Sequence, residues 1–529
     1  MLSEPITSFL EKYRTFLAEK AGLEALPKIH VDEIAAKIAA FYERVRNIID
    51  YQEEHLLRKR FIDRTLRRKL LLKSLNGQIA EPLIKELIRS GHLPNDSVPE
   101  NKIKEVERII NAFHGLNSKI PSTPRKKELS EWLLKATISA VEETLFSPTK
   151  SQMLSKLMFD SIRGSLSVGG AKLANHDIDV QLFIAIQKSL FRVDNDQLNY
   201  RALKFLYPEW ASFGFSEDKY PEIAVELPAI KKKIERYIYA RPVFRREFLR
   251  FGNRYNTVFY LIDDLAADNK SAEKLEEILT SEEKLAKAVK AAYQKRYDRE
   301  KTKLNKLAFW TLLSFFISKI AVAIAVEIPV DKYLTHNFSM LNTVINILFP
   351  PVIMFLILVS VKMPSAKNLG LILEEVKKTV FLDQSKAYAV NIPKKRTFLG
   401  KLTIQVLYLA LMTGVFYELS RLLLHFKFSL ANIVVFIFFT SLVAAVGVKI
   451  HNRSRELSLE KERVTLFSFL IDLISLPFVT VGKIAIAGLS KFNILILVAN
   501  FLIELPLQIF IEFLENFSLF IKSKKEEIN

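Results

Sequence analysis

LAFWTLLSFFISKIAVAIAV, residues 307–326, divides this chain into two unlike parts. The stretch has the roughly 20 apolar residues that a helix needs to cross a bilayer core about 30 Å thick. Lys319 is its one charge. Before it the chain is charged and helix-patterned, and after it apolar blocks of membrane length dominate. That segregation explains how 529 residues are 50% hydrophobic and 26% charged at once. The length itself points to two or three domains rather than one core.

Further apolar runs cover residues 341–361, 402–424 and 428–448. Two weaker ones follow: 464–481, which contains Asp472 and Pro477, and 492–512. The expected fold is therefore all-α, a cytoplasmic helical region followed by a polytopic α-helical membrane domain of four to six spans. Residues 1–120 read as a basic helical arm, 121–304 as a cytoplasmic helical domain and 305–529 as the transmembrane domain. A boundary in SKIPSTPRKK separates the first two.

The net charge of +19 is concentrated beside the spans. QKRYDREKTKLNK precedes the first span, the connection 362–401 carries nine basic residues including Lys394, Lys395 and Arg396, and 449–463 carries five. The alternate connections hold only Lys332, then Arg421 and Lys427, then Lys483 and Lys491. The excess of Lys and Arg on inner loops places the N-terminal region, both basic connections and the C-terminus in the cytoplasm. The expected location is a bacterial inner (cytoplasmic) membrane. MLSEPITSFLEKYRTF has no basic segment followed by an apolar core, so the first span is expected to direct insertion. Absence of cysteine excludes disulfides, thiol nucleophiles, Cys-ligated zinc and iron–sulfur clusters.

Apolar residues at three- and four-residue spacing predict cytoplasmic helices over 31–75, 81–90, 100–113, 124–145, 150–162, 178–191, 197–206, 230–239, 242–266 and 281–306. The last is expected to run on into the membrane. No two-residue alternation bounded by turn signals indicates a sheet.

LRKRFIDRTLRRKLLLK packs Arg58, Lys59, Arg60, Arg64, Arg67, Arg68, Lys69 and Lys73 onto one helix. Such density suits anionic lipid headgroups or an acidic protein, and less well nucleic acid. The ordinary reading of a charge run, a solvated or internally paired face, ranks first, since Glu53, Glu54 and Asp63 are at hand. His176, Asp177 and Asp179 read as a helix start rather than a metal site. Asp263 and Asp264 read as a solvated helix end. SLSVGGAKLAN lacks the ending of a phosphate loop. No catalytic frame, metal or cofactor is expected, which weighs against a soluble-type enzyme.

Ionisable groups inside the membrane normally face protein or water. Candidates are Lys319, Glu418, Arg421, Asp472, Glu504 and Gln508. Glu418 and Arg421 are spaced to pair with each other. Asn500, Glu504, Gln508, Glu512 and Asn516 recur every fourth residue and form one polar row on a helix. The row is expected to face protein, with Glu504 near Asp472 or Lys319. Structural ion pairs rank ahead of an ion or substrate path.

The blocks WTLLSFFISKIAVAIAVEIPVDKYL, LNTVINILFPPVIMFLILVSVKMPS and FNILILVANFLIELPLQIFIEFLENFSLFIKSKKEEI resemble a group of uncharacterised multi-pass membrane proteins of reduced-genome bacteria. The resemblance implies the same plan, a helical region followed by several spans, and no activity. The leading expectation for function is a membrane-anchored scaffold or interaction protein with protein partners at its helical domain. A transporter or channel using the intramembrane charges is the alternative.

Overall fold

The computed structural model describes residues 1–24, 26–31, 54–72, 78–146, 149–170, 173–211, 213–269, 271–334, 339–361, 364–382, 387–393, 397–455, 457–460 and 466–489. Lys73, the run Lys394, Lys395, Arg396, most of the first expected helix before Glu54, and the whole polar row with Glu504 and Gln508 lie outside the described residues.

Among the described residues the protein is helical apart from one small sheet, and five of these helices are long and apolar enough to cross a membrane. Helix boundaries follow local chemistry. The Asp194 side chain accepts from the Gln197 amide at 2.7 Å and so opens the helix Asn195–Leu206. Ser281, Ser339, Thr397 and Ser429 do the same for four of the five spanning helices, whose first free amides would otherwise lack partners. The helix Tyr220–Ile238 starts earlier than its apolar spacing suggests, because Pro221 occupies the first turn and Pro228 is accommodated inside it.

The first spanning helix begins in the helical domain and runs unbroken over Glu282–Val322, as the sequence suggests. At 1.5 Å per residue it is roughly 60 Å long, enough to carry rigid structure from the domain into the bilayer. Two π-helical turns, Ala323–Glu327 and Val330–Leu334, extend it past the end of the apolar run. The second, Met340–Ser360, continues through Pro350 and Pro351. The third is Phe398–His425, and the fourth, Leu430–Ser454, is the best buried. Leu466–Leu489 is the fifth. A Cβ on Gly482 would collide with the Ser441 carbonyl, so the fourth and fifth helices approach closely where small residues face each other.

The helical domain has two apolar cores. Leu66, Leu83, Ile110, Leu133, Leu198 and Ile234 belong to the first, which draws on both sides of residue 120. Ile6, Leu157, Phe248, Ile262, Leu275 and Val289 belong to the second. The helix Asn175–Phe191 joins them, presenting Val180 and Ile184 to one and Leu182 and Ile186 to the other.

Both connections read as basic loops prove to be parts of the second core. Residues 366–380 form the helix Ala366–Val380, which buries Ile372, Val376 and Val380. Tyr388–Asn391 then pairs in parallel with Leu166–Gly169. This sheet was not expected, because four-residue strands are too short to display an alternation. Gly170 ends its first strand at φ +82, where a Cβ would strike the Ile392 carbonyl. Leu457 and Leu459 of the second connection are buried in the same core. At the other end of the chain, Ser3 N–H donates to the Val380 carbonyl at 2.8 Å and its hydroxyl to Thr379 at 2.7 Å. Residues from the N-terminus and from both connections therefore share one folded core, and so share one side of the membrane domain.

Candidate functional site

The basic run on Glu54–Leu72 is largely consumed inside the fold. Lys59 is buried and binds Asp194 at 2.7 Å and Asp196 at 3.5 Å. Arg67 bridges Asp63 and Glu131, each at 2.5 Å. Arg68 pairs with Glu86, and Lys69 lies 3.4 Å from it. The guanidiniums of Arg58 and Arg64 lie over the rings of Phe146 and Phe61. This is the internally paired face. The other acids of the region are similarly engaged: Asp177 with Tyr237 and Arg241, Asp179 with Arg163, Asp263 with Lys150 and Asp264 with Arg296.

What the pairing leaves is a cavity of ≈1910 Å³ between the helical domain and the spanning helices. From the domain come Lys59, Arg60, Lys135, Lys188 and Arg192, and from the membrane side Lys449, Arg453, Arg455 and Lys483. Among the described residues three acids, Asp63, Asp194 and Asp196, share the lining. These already serve Arg67, Lys59 and Lys135. Lys188, Lys449, Arg453 and Lys483 have no carboxylate partner among the described residues, and the Arg453 Nε is buried without an acceptor. Burial, followed by the charge of Arg245, pushes the Lys188 pKa below its ordinary value, as expected where positive charge is in excess. Leu307, Val446, Ile450 and Ile486 supply an apolar wall beside the cations.

Lys483 is the surprise. The charge count puts it in an outer connection, yet it lines this cavity with Lys449 and Arg453, the domain-side end of the fourth spanning helix. One lysine weighs little in a loop count, and a lysine at a helix end can serve either polar boundary.

Within the spanning helices, Lys319 is fully buried and its ammonium pairs with Glu327. Asn346 donates to the second Glu327 oxygen at 2.9 Å, and Asn432 donates to Asp331 at 2.5 Å. Lys319 Nζ also lies 5.1 Å from the centre of the Phe439 ring. The sequence singles out Lys319 but misses these partners. Glu327 follows the apolar run by one residue, and the π turn that brings it round to Lys319 has no signature in hydropathy. Glu418 and Arg421 pair at 3.7 Å on an exposed face, apart from this group. Asp472 is exposed, and among the described residues no side chain pairs with its carboxylate. Compared with known proteins, the chain matches no family model, no curated protein and no solved structure.

Proposed function

We propose that this is a membrane-anchored interaction protein whose helical domain and spanning helices together hold an anionic amphiphile, with the shared core on the cytoplasmic face of a bacterial inner membrane. The basic cavity carries the reading. Among the described residues its lining holds nine cations and three acids, and Lys188, Lys449, Arg453 and Lys483 have no carboxylate partner there. A phosphate-bearing headgroup supplies the missing charge. Acyl carbons fit against Leu307, Val446 and Ile486, where a wholly polar anion would gain nothing. Each lysine near a membrane surface contributes about 1 kcal/mol toward anionic lipid, and more where a cavity wall lowers the surrounding dielectric.

The basic connections explain why such a site lies on this side. Folding them into the domain core fixes the domain against the bilayer, so ligand, domain and spans meet in one place. A bound lipid would then act as a joint between domain and membrane. Transport is the second reading. It draws on the buried charges around Lys319 and requires a path across the bilayer, which the cavity reading does not.

Native mass spectrometry of the full-length protein, purified in mild detergent from bilayers containing equal phosphatidylglycerol and phosphatidylethanolamine, tests the proposal. Phosphatidylglycerol is expected to be retained selectively, and Lys449→Gln with Lys483→Gln to lower its occupancy by roughly tenfold or more. Equal retention of the two lipids, or selectivity unchanged in the double variant, would contradict it.

A further inference from the structure

The helix Pro242–Asp268 carries an exposed basic face outside the cavity. We propose that its first three turns rest against anionic headgroups of the bilayer surface, so that the domain docks on the leaflet as well as on the spans. The inference rests on the membrane placement of the spans and not on the ligand of the cavity.

Register places this face at the membrane boundary. The helix runs antiparallel to the first spanning helix, with Asp268 paired to Lys295 at 2.8 Å and Asp264 to Arg296 at 2.6 Å. Further along, its Leu249 and Asn253 line the same cavity as Leu307 and Thr311, where the apolar run begins. Toward its start the helix therefore continues in the direction of the bilayer, with Arg246 roughly 5 Å and Val243 roughly 9 Å beyond Leu249. Phe309 and Trp310, 61% and 60% exposed, mark that boundary on the first spanning helix.

At about 100° per residue, Arg246, Leu249, Arg250 and Asn253 fall within an arc of roughly 100°. The cavity wall and the basic face are thus one side of one helix. Glu247 is the one acid between Pro242 and Ile262, against Arg245, Arg246, Arg250 and Arg254. It serves both Arg246 at 3.1 Å and Arg250 at 3.0 Å. The Glu247 side chain is 15% exposed and those of Arg246 and Arg250 are 58% and 68% exposed, so the charge turned outward is positive. Water satisfies a guanidinium anywhere on a domain, but at the height where the apolar run starts these two meet lipid phosphates. Their apolar stems and the half-buried Val243 complete the pattern of a helix lying at an interface.

Nitroxide labels at single cysteines in the full-length protein test this, in nanodiscs of phosphatidylglycerol mixed with phosphatidylcholine and in nanodiscs of phosphatidylcholine alone. Val243→Cys reports the face, Trp310→Cys the span, and Glu277→Cys the solvated surface beside Lys284, at the other end of the first spanning helix. With phosphatidylglycerol, the Val243 label is expected to be shielded from a water-soluble nickel chelate and open to oxygen. With phosphatidylcholine alone, or in about 1 M salt, it should approach the Glu277 label. Arg246→Gln with Arg250→Gln should lower the docked population roughly tenfold or more. A Val243 label as open to the chelate as that at Glu277 in both bilayers would overturn the proposal and leave the face to water or an acidic protein. Shielding that persists in the double variant and in high salt would also overturn it, since the contact would not be ionic. A chelate-accessible label at Trp310 would contradict the membrane placement of the first span itself, and this proposal with it.

Discussion

Glu142 shows how this fold handles a charge it cannot leave in water. It is 3% exposed, accepts a hydrogen bond from Gln197 at 2.6 Å, and stands near Lys59 and Arg58. Burial nevertheless dominates those cations and raises its pKa to about 7. An acid raised in the folded state is favoured as the protonated form. Its contribution is therefore most favourable below the unfolded pKa near 4.5 and becomes a penalty as pH rises toward 7. The penalty approaches about 3 kcal/mol above that range. Chemical unfolding of the full-length protein between pH 5 and 8 should show stability falling as pH rises, and Glu142→Gln should flatten that component. A variant with the same slope as wild type would assign the effect to other groups. Residue identity alone shows that Lys319 needs a partner, but not that Glu327 supplies it. For Arg67 and Lys59 the composition shows acids nearby, while the particular pairs with Glu131 and Asp194 depend on tertiary packing.

At the level of elements, Asn368 joins three separate parts of the chain. Its amide nitrogen donates to the Leu457 carbonyl at 2.7 Å and to the Tyr293 hydroxyl at 3.1 Å, and its oxygen accepts from the Leu459 amide at 2.7 Å. It is fully buried, so no water replaces those bonds. Asn368→Ala should destabilise the protein by about 1–3 kcal/mol, read as a lower unfolding midpoint in detergent. An unchanged midpoint would mean that the second connection is not held by this residue. The spanning helices were legible because length and hydropathy are local properties, and the helices of the preceding domain because their apolar spacing is periodic. The helix Ala366–Val380 was not, although Leu369, Ile372, Leu373, Val376 and Val380 carry the spacing. Its charges were counted as topology signals, and the counting concealed the amphipathic face. The short strands were beyond reach for a different reason: Leu166–Gly169 finds its partner more than 200 residues away, and nothing local specifies that pairing.

Across the whole molecule, the domain is tied to the membrane region by a continuous helix and by two connections folded into its second core. Those ties create the basic cavity, since its lining alternates between domain and spans. Neither the basic helix nor the basic connections would have revealed it separately. The cavity combines residues as distant in sequence as Lys59 and Lys483, and most of the charges on the basic helix are spent elsewhere. Because the chain contains no cysteine, the junction can be probed at two uncharged lining positions, Asn253 on the domain and Ala487 on the fifth spanning helix. Crosslinking of Asn253→Cys with Ala487→Cys by a flexible thiol reagent, in bilayers with and without phosphatidylglycerol, is the most direct measurement. The two sites are expected to link, and to link more slowly when phosphatidylglycerol occupies the space between them. Failure to link in either bilayer would contradict the shared cavity, and equal rates in both would contradict its anionic ligand.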